Sequence, residues 1–339
     1  VTVNDYGDTM TNLIRSNDDA NFPWLGALIG SAIIGFWYWC TDQFIVQRVL
    51  SGKNEMEARR GTIFGAYLKL TPVFLFLIPG MVAFAMQKHG ITVNGETFTM
   101  SSADAAFPTL VAKLLPAGFK GLVVCGILAA LMSSLASLFN SSAMLFTIDF
   151  YKKYRPKASE KTLLYVGRVA TVVVVVLGIL WIPVMKSVGS VLYNYLQDVQ
   201  SVLAPGIAAA FLLGICSKKA TPKGGMWGLI AGFIIGITRL GAKVYYTSGA
   251  TFSDSWFKYL FYDTNWLFFC GGMLLFCMLV IVVVSRFTTP APAEQIVGLT
   301  FGSTTDEQKA VTRASWNKWD VIHSAIIILI TVVFYWYFW

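Results

Sequence analysis

The sequence predicts an all-α integral membrane protein with about eight transmembrane helices. Three observations support this class: the composition, the length of the apolar runs and the positions of the basic residues. Apolar residues make up 56% of the chain and charged residues only 13%, whereas soluble domains carry about 25% charged residues. Several apolar runs approach the ~20 residues that one helix needs to cross the bilayer core. We therefore expect a multi-pass protein of the cell's inner (plasma) membrane.

Candidate spans follow from the apolar runs and the polar breaks between them. They cover residues 23–50, 62–86, 119–151, 163–183, 191–216, 225–245, 265–285 and 321–339. The loop after the second span contains the run FPTLVAKLLP, which predicts a short helix at the outer surface. The last loop, near residues 287–320, is polar and rich in Thr, Pro and Ala. This composition predicts a loosely ordered cytoplasmic connection.

Basic residues alternate between rich and poor loops along the chain. The loops after the first, third, fifth and seventh spans are rich in Lys and Arg, and the opposite set, which includes Lys243 and Lys258, is thinner. Cytoplasmic loops of membrane proteins carry the excess of basic residues. Both Val1 and Trp339 are therefore expected outside, and an even number of spans agrees because it places the two ends on the same side.

Several other functions are disfavoured by the same residues. The net charge of +8 lies between apolar spans and not along a basic stripe with aromatic residues, so no nucleic-acid partner is expected. The five cysteines have no metal-type spacing, and a disulfide framework or zinc site is not expected. The chain is not predicted to be an enzyme, because His89 and His323 are its only histidines and no acid, base or metal set converges within the spans.

The N-terminal segment is polar. Residues 1–22 begin with Val1, contain no initiator Met and show no signal-peptide pattern. We interpret them as an extracytoplasmic leader, and we expect an N-terminal portion of the protein to precede this numbering.

Polar residues within spans are costly and must face protein, water or substrate. The run WYWCTDQ at residues 37–43 has aromatic faces that could cover the apolar face of a sugar, although they would equally suit helix packing. Asp42 could pair with Arg48 at the inner boundary. Lys69 either extends to the inner surface or donates a hydrogen bond to a ligand hydroxyl.

A hydroxyl-rich helix face is a further candidate. Ala130, Ser133, Ser134 and Ser137 share one face by their three- and four-residue spacing. Helix packing is the common use of such residues. A dehydrated Na⁺ takes about five or six hard oxygens, which hydroxyls and backbone carbonyls can supply.

The fifth span opens with Tyr193 and the amide side chains of Gln197 and Gln200. These residues could form an exposed helix end. They could also cap a sugar site from outside.

At these places the sequence resembles the solute:sodium symporter family, and most of all its sodium/glucose cotransporter branch. The run YWCTDQFIVQR at residues 38–48 is close to a signature of that branch. The runs AYLKLTPVF at 66–74 and LAALMSSLASLFNSSAMLFTIDFYKKYR at 128–155 strengthen the match, as does ASEKTLLYVGR at 158–168. The run at 214–232 is similar to the family's basic-loop signature. The similarity extends nearly from end to end.

This resemblance implies a LeuT-type inverted-repeat fold, in which two five-helix repeats hold the substrate near the bilayer midplane beside broken helices. Residues 23–216 would be the second five-helix repeat. Residues 217–339 would add three C-terminal transmembrane helices. The first repeat would be the missing N-terminal part of the same protein.

The resemblance also implies a function, which is sodium-coupled transport of a hexose such as glucose or galactose by alternating access. Sodium would be co-transported, and the partners would be the sugar, Na⁺ and the lipid bilayer. The alternatives are a sodium symporter for another solute, such as an inositol, a sialic acid or a monocarboxylate, or more remotely a membrane sensor.

Individual roles follow from the resemblance residue by residue. Tyr38 would be the inner gate beneath the sugar, and Tyr193 the outer gate. The substrate-binding residues would be Tyr38, Lys69, Gln197 and Ser137. The sodium site would take the carbonyl of Ala130 and the hydroxyls of Ser133 and Ser134.

Two departures from the family pattern affect these expectations. Gly35 stands where relatives have Asn or Thr in contact with the sugar, which leaves the identity of the sugar open. Ala136 stands beside Ser137 where members that carry two sodium ions have paired hydroxyls. We therefore expect one Na⁺ per sugar.

Overall fold

The computed structural model describes residues 12–188, 192–249 and 255–338, which are almost entirely helical. Residues 1–11 of the expected leader, position 191 and Trp339 lie outside the described part of the chain. The described residues form two compact units. The first lies within residues 1–64, 187–189 and 193–339, and the second within residues 65–186 and 190–192.

Within the described residues, seven helical segments are long and apolar enough to cross a membrane, and a bent helix pair brings the number to eight. The predicted all-α class and number of spans are confirmed. The helices are α1 (Trp24–Cys40), α2 (Gln43–Leu50), α3 (Glu55–Leu70), α4 (Ile78–Lys88), α5 (Ala106–Leu114), α6 (Ala117–Leu145), α7 (Lys152–Tyr154), α8 (Glu160–Val188), α9 (Leu192–Cys216), α10 (Pro222–Thr247), α11 (Ser255–Lys258), α12 (Trp266–Arg286), α13 (Ala293–Ile296), α14 (Asp306–Ala314) and α15 (Lys318–Tyr337). Single π-helical turns at Val73–Leu77, Phe146–Tyr151 and Tyr259–Asp263 interrupt or extend them.

The first span is a broken helix. Its two parts, α1 and α2, are bent by 51°. The carbonyl of Trp37 ends α1 by accepting from the Thr41 N–H at 3.0 Å, the Asp42 N–H at 3.1 Å and the Thr41 hydroxyl at 2.7 Å. The Asp42 carboxylate then caps α2 by accepting from the Phe44 N–H at 3.0 Å. This break is of the kind that the resemblance implies for a transporter core helix.

Small residues let the central helices of the first unit approach closely. Four glycines of α10, at positions 224, 228, 232 and 236, recur every four residues and are buried. A Cβ placed on Gly232 would lie 3.0 Å from the Cys277 sulfur of α12 and 3.2 Å from the Gly206 Cα of α9. Without a hydrophobic effect between helices in lipid, such close backbone contact is a main source of association. α10 therefore packs tightly against both α9 and α12.

Contacts at one end of the first unit bring several helix termini together. The Leu13 N–H donates to the Phe338 carbonyl, just past α15, at 2.8 Å. The Asn194 amide donates to the Asn21 side chain at 3.0 Å, and the Asn265 amide donates to the Ala20 carbonyl at 2.7 Å. The starts of α1, α9 and α12 thus lie at the same end as the end of α15. The alternation of loops in the sequence predicts this arrangement.

The opposite end of the first unit joins the start of α3 to the start of α15. The Arg59 guanidinium donates to the Ser315 hydroxyl at 3.1 Å, and Arg60 pairs with Asp320 at 3.6 Å. Both contacts lie at the end of the unit that the positive-inside rule places toward the cytoplasm.

The second unit contains the predicted short helix of the long loop, which is confirmed as α5. A small hairpin pairs strand β1 (Thr92–Val93) with strand β2 (Glu96–Thr97). Its turn requires the positive φ angles of Asn94 and Gly95, at 52° and 84°, which is the usual chemistry of a two-residue hairpin.

The last loop differs from the expectation. The segment predicted to be loosely ordered contains α13 and the nine-residue helix α14. A capping box starts α14, because the Thr305 hydroxyl and the Gln308 amide each accept from the other residue's N–H. The Thr-x-x-Gln spacing is a recognisable helix start signal. The prediction of a loosely ordered loop was wrong because it rested on the average composition of the segment and not on this local pattern.

A bulky residue at Gly232 should destabilise the first unit. We expect Gly232→Leu to cost about 1–3 kcal/mol or more through overpacking against α9 and α12, which would appear as a lower midpoint of thermal unfolding in detergent. Gly225→Leu is the matched control, because a Cβ on Gly225 has no neighbour within 4 Å. Equal midpoints for the two variants would contradict the close approach.

Candidate functional site

The outer end of α9 holds two of the predicted site residues in direct contact. The Gln197 side-chain N–H donates to the Tyr193 hydroxyl at 2.7 Å. The side-chain oxygen of Gln197 is buried and has no hydrogen-bond partner among the described residues. A buried acceptor without a partner is costly. A ligand hydroxyl that donates to this oxygen would remove the cost.

Aromatic rings surround the start of α9. The Phe22 ring lies 6.3 Å from the Tyr193 ring and 6.1 Å from the Trp266 ring, in an edge-to-face arrangement with the latter. The indole N–H of Trp266 donates to the Asn21 carbonyl at 3.2 Å. The predicted outer gate residue, Tyr193, therefore belongs to a group of neutral aromatic side chains at the outer end of the unit.

Tyr38 lies at the other end of the same helical core. Ile34 of α1 and Ala204 of α9 belong to one buried cluster. Tyr38 is one turn, or about 6 Å, beyond Ile34 toward the inner side, and Gln197 precedes Ala204 by about 10 Å toward the outer side. The Tyr38 ring packs edge-to-face on Trp39 at 5.3 Å. Tyr38 and Gln197 thus lie at different depths, on either side of the α1–α9 core contact.

The predicted sodium residues lie in the second unit, on α6. This helix is regular from Ala117 to Leu145, so Ala130, Ser133, Ser134 and Ser137 do share one face. Ser137 is half-buried and donates to the Ser133 carbonyl at 3.1 Å, while the other three residues are exposed. One carbonyl and two hydroxyls on this face could supply about half of the oxygens that a sodium ion requires.

Lys69 also lies in the second unit, in the last turn of α3, and is exposed. The helix is distorted directly after it. The Thr71 hydroxyl donates to the Leu68 carbonyl at 2.7 Å, and Pro72 precedes the π-helical turn Val73–Leu77. Such turns are frequent at functional sites. The predicted residues are therefore divided: Tyr38, Tyr193 and Gln197 belong to the first unit, and Lys69, Ser137 and the sodium residues to the second.

A charged cluster that the sequence did not reveal lies beside Gln197. The Asp198 carboxylate is 2.6 Å from the Lys243 ammonium and 3.4 Å from the Arg239 guanidinium. The sequence places Lys243 in the thin outer set of loop cations, but the structure places it on α10, where its side chain is 80% buried in the ion pair with Asp198. Ionisable residues within spans usually pair with one another. The sequence does contain an indication of this cluster: a single Asp in one span, and an Arg and a Lys four residues apart in the next.

Arg239 is completely buried. One of its terminal nitrogens also donates to the Thr264 carbonyl at 2.9 Å, and its guanidinium carbon lies 4.0 Å from the centre of the Phe269 ring. The other two nitrogens have no hydrogen-bond partner among the described residues. The stacking on Phe269 offsets part of the cost of burying this cation.

Comparison with known proteins identifies the family of this chain. A family model described as "Sodium:solute symporter family" matches residues 2–232.

Curated relatives match over most of the chain. Sodium/glucose cotransporter 1 of Ovis aries is 38% identical over 309 residues, which are 85% of this chain and 46% of that protein. Sodium/glucose cotransporter 4 of Homo sapiens is 39% identical over 298 residues, or 86% of this chain and 44% of that protein. Sodium/glucose cotransporter 2 of Rattus norvegicus is 38% identical over 306 residues, with coverages of 86% and 44%. The chain spans about half the length of the curated relatives it matches.

Removal of the buried guanidinium should lower stability. We expect Arg239→Met to cost about 1–3 kcal/mol, because it leaves the Thr264 carbonyl without its donor and removes one of the two ion pairs of Asp198, which Lys243 still compensates. The change would be read as a lower unfolding midpoint of the purified protein. Lys309→Met is the matched control, since it breaks only the exposed Lys309–Asp306 pair, which is worth about 0–1 kcal/mol. A midpoint for Arg239→Met as high as that of the control would contradict the importance of the buried cluster.

Proposed function

We propose, because this chain belongs to the sodium:solute symporter family, that the whole protein carries a hexose-type sugar into the cell together with sodium. It would do so as a multi-pass protein of the plasma membrane. Transport, and not enzymatic chemistry, is the activity we expect of a member of this family.

The observation that carries the choice of a sugar is the environment of Gln197. Its buried side-chain oxygen lacks a donor among the described residues, and its N–H is held by the Tyr193 hydroxyl at 2.7 Å. A sugar offers hydroxyl donors at fixed spacing, and its C–H face suits neutral aromatic neighbours such as Phe22 and Trp266. The sheep and human relatives described above are sodium/glucose cotransporters, which supports the same class of substrate.

The proposed role of α6 is to bind sodium. The carbonyl of Ala130 and the hydroxyls of Ser133 and Ser134 are hard, uncharged oxygens on one helix face. Such ligands suit a monovalent cation that must be released again on the cytoplasmic side. Members of the family that carry two sodium ions have paired hydroxyls at this place, whereas here Ala136 stands beside Ser137. We therefore propose a stoichiometry of one sodium ion per sugar.

We propose that a first repeat, outside the residues of this chain, supplies the remaining ligands for both sodium and sugar. This proposal is supported by the length of the match, because this chain aligns with only 46% of the sheep protein. In an inverted-repeat transporter the substrate site is formed at the interface of two repeats. The residues considered above would then be one side of each site.

The proposed mechanism is alternating access. Tyr193 closes above the sugar at the outer end, and movement of Tyr38 below it opens the path to the cytoplasm. The break between α1 and α2 provides a place at which the inner part of the span can bend. A tenfold sodium gradient supplies about 1.4 kcal/mol, and a membrane potential of roughly 100 mV supplies about 2.3 kcal/mol per charge. One sodium ion per sugar can thus sustain accumulation of several hundredfold.

Uptake of labelled sugar by the whole protein in vesicles tests this function. We expect uptake of labelled galactose or glucose when sodium is outside, and no accumulation when potassium replaces it. If unlabelled inositol, sialic acid or a monocarboxylate inhibits the labelled uptake and unlabelled hexoses do not, that solute and not a hexose is the substrate. Absence of any sodium-dependent uptake across this panel would contradict the proposed function.

Ser134→Ala should weaken sodium binding specifically. Loss of one oxygen ligand is expected to raise the half-saturating sodium concentration about 10-fold, measured from sugar uptake at varied sodium. Ser142→Ala is the matched control, because it removes a hydroxyl about 12 Å further along the same helix. An unchanged sodium dependence in Ser134→Ala would contradict the assignment of the sodium site.

A further inference from the structure

A single carboxylate joins two helices at the outer end of the first unit. Arg239 and Lys243 are four residues apart on α10 and therefore lie on the same helix face. Both contact Asp198 of α9, through different carboxylate oxygens. The cluster thus contains two cations and one anion, and it fixes the position of the carboxylate from two directions.

The cluster is rigid because its members are buried and held by other groups. Arg239 is fully buried and also bound to the Thr264 carbonyl and to the Phe269 ring. Near the cluster, the backbones of α9 and α10 approach closely, since a Cβ on Gly236 would lie 3.0 Å from the Val202 carbonyl oxygen. The α10 side of the contact therefore cannot adjust easily when α9 turns.

The outer turn of α9 has less packing on its other sides. Tyr193 is 56% exposed and Leu196 is 46% exposed, whereas Tyr195 is buried, so apolar contacts restrain this turn on one side only. Gln197 directly precedes Asp198 in the chain. A rotation of this turn by about 20° would move a side-chain end at the helix surface by about 2 Å. That displacement is larger than a hydrogen bond to a ligand tolerates.

We infer that Asp198, held by Lys243 and Arg239, is a positioning residue for sugar binding. Its ion pairs fix the rotation of the outer turn of α9, and this orients the free oxygen of Gln197 toward the sugar. Asp198 itself does not contact the sugar. This inference rests on the proposed function and extends it to charged residues of α9 and α10 outside the motifs that carry the family resemblance.

Stability alone does not account for this cluster. Buried ion pairs are often no more stabilising than apolar residues of similar volume, because the charges lose their hydration. The contacts of Asp198 with Arg239 and Lys243 depend on direction, so they specify one rotation of α9 about its axis. Apolar contacts are not directional and specify the rotation less sharply. Orientation of Gln197 is therefore the use that fits a charged cluster at this place.

Lys243→Met is the most informative variant, because it removes the shorter ion pair while Arg239 still compensates Asp198. In the whole protein we expect the half-saturating sugar concentration to rise about 5-fold or more, with the maximal rate within about 2-fold of wild type. Lys243→Arg, which keeps the charge, should remain close to wild type. In a Gln197→Ala background, Lys243→Met should add less than about 2-fold, because the side chain to be positioned is gone.

The opposite pattern would overturn the inference. A merely structural role predicts an equal effect of Lys243→Met with and without Gln197, or a loss of maximal rate at unchanged half-saturation. The matched control is Lys309→Met, which breaks an exposed ion pair elsewhere and should leave the sugar half-saturation unchanged.

A second measurement does not depend on transport. In a Gln197→Cys variant, the rate of modification at position 197 by a membrane-impermeant maleimide can be followed by peptide mass spectrometry. We expect Lys243→Met to change this rate by about 5-fold or more, and Lys309→Met to leave it unchanged. An unchanged rate in Lys243→Met would overturn the positioning role. Absence of sodium-dependent uptake in the wild type would instead overturn the proposed function alone and leave the labelling result in force.

Discussion

A charged residue inside a membrane span must find a partner, and this requirement organises the outer end of the first unit. Asp198 meets it through Lys243 at 2.6 Å and Arg239 at 3.4 Å. Because both cations belong to α10, α9 cannot rotate freely against that helix. Gln197 and Tyr193 lie in the adjacent turn of α9, and the side-chain oxygen of Gln197 is buried without a hydrogen-bond partner among the described residues.

The glycines of α10 make this arrangement possible. Their lack of side chains lets α10 approach α9 and α12 at backbone distance, so that short polar contacts such as the Asp198 pairs can form between the helices. Similar small-residue contacts are the usual means by which membrane helices associate. Close packing in the middle of the unit and the ion pairs near its outer end thus both hold α9 against α10. The first span differs, because it is bent by 51° between α1 and α2.

The membrane class, the number of spans and most helix bounds could be predicted from the sequence, because apolar length and loop charge depend only on local composition. The resemblance implies broken helices beside the substrate, but it did not identify the first span as one of them. The helix Asp306–Ala314 was overlooked although Thr305 and Gln308 signal its start. The Asp198 cluster could not be assigned, because it requires knowing that α9 and α10 face each other with Asp198 and Lys243 at one level. For the sugar and sodium residues the sequence supplies candidates only, since their partners belong to different parts of the protein.

Equilibrium binding can show whether sodium and sugar bind to the protein in a coupled way. The affinity of the purified whole protein for galactose would be measured at low and high sodium, and its affinity for sodium with and without galactose. We expect sodium to raise the sugar affinity by at least about 5-fold, and the sugar to raise the sodium affinity by the same factor, as linkage requires. Sugar binding that is independent of sodium would contradict it.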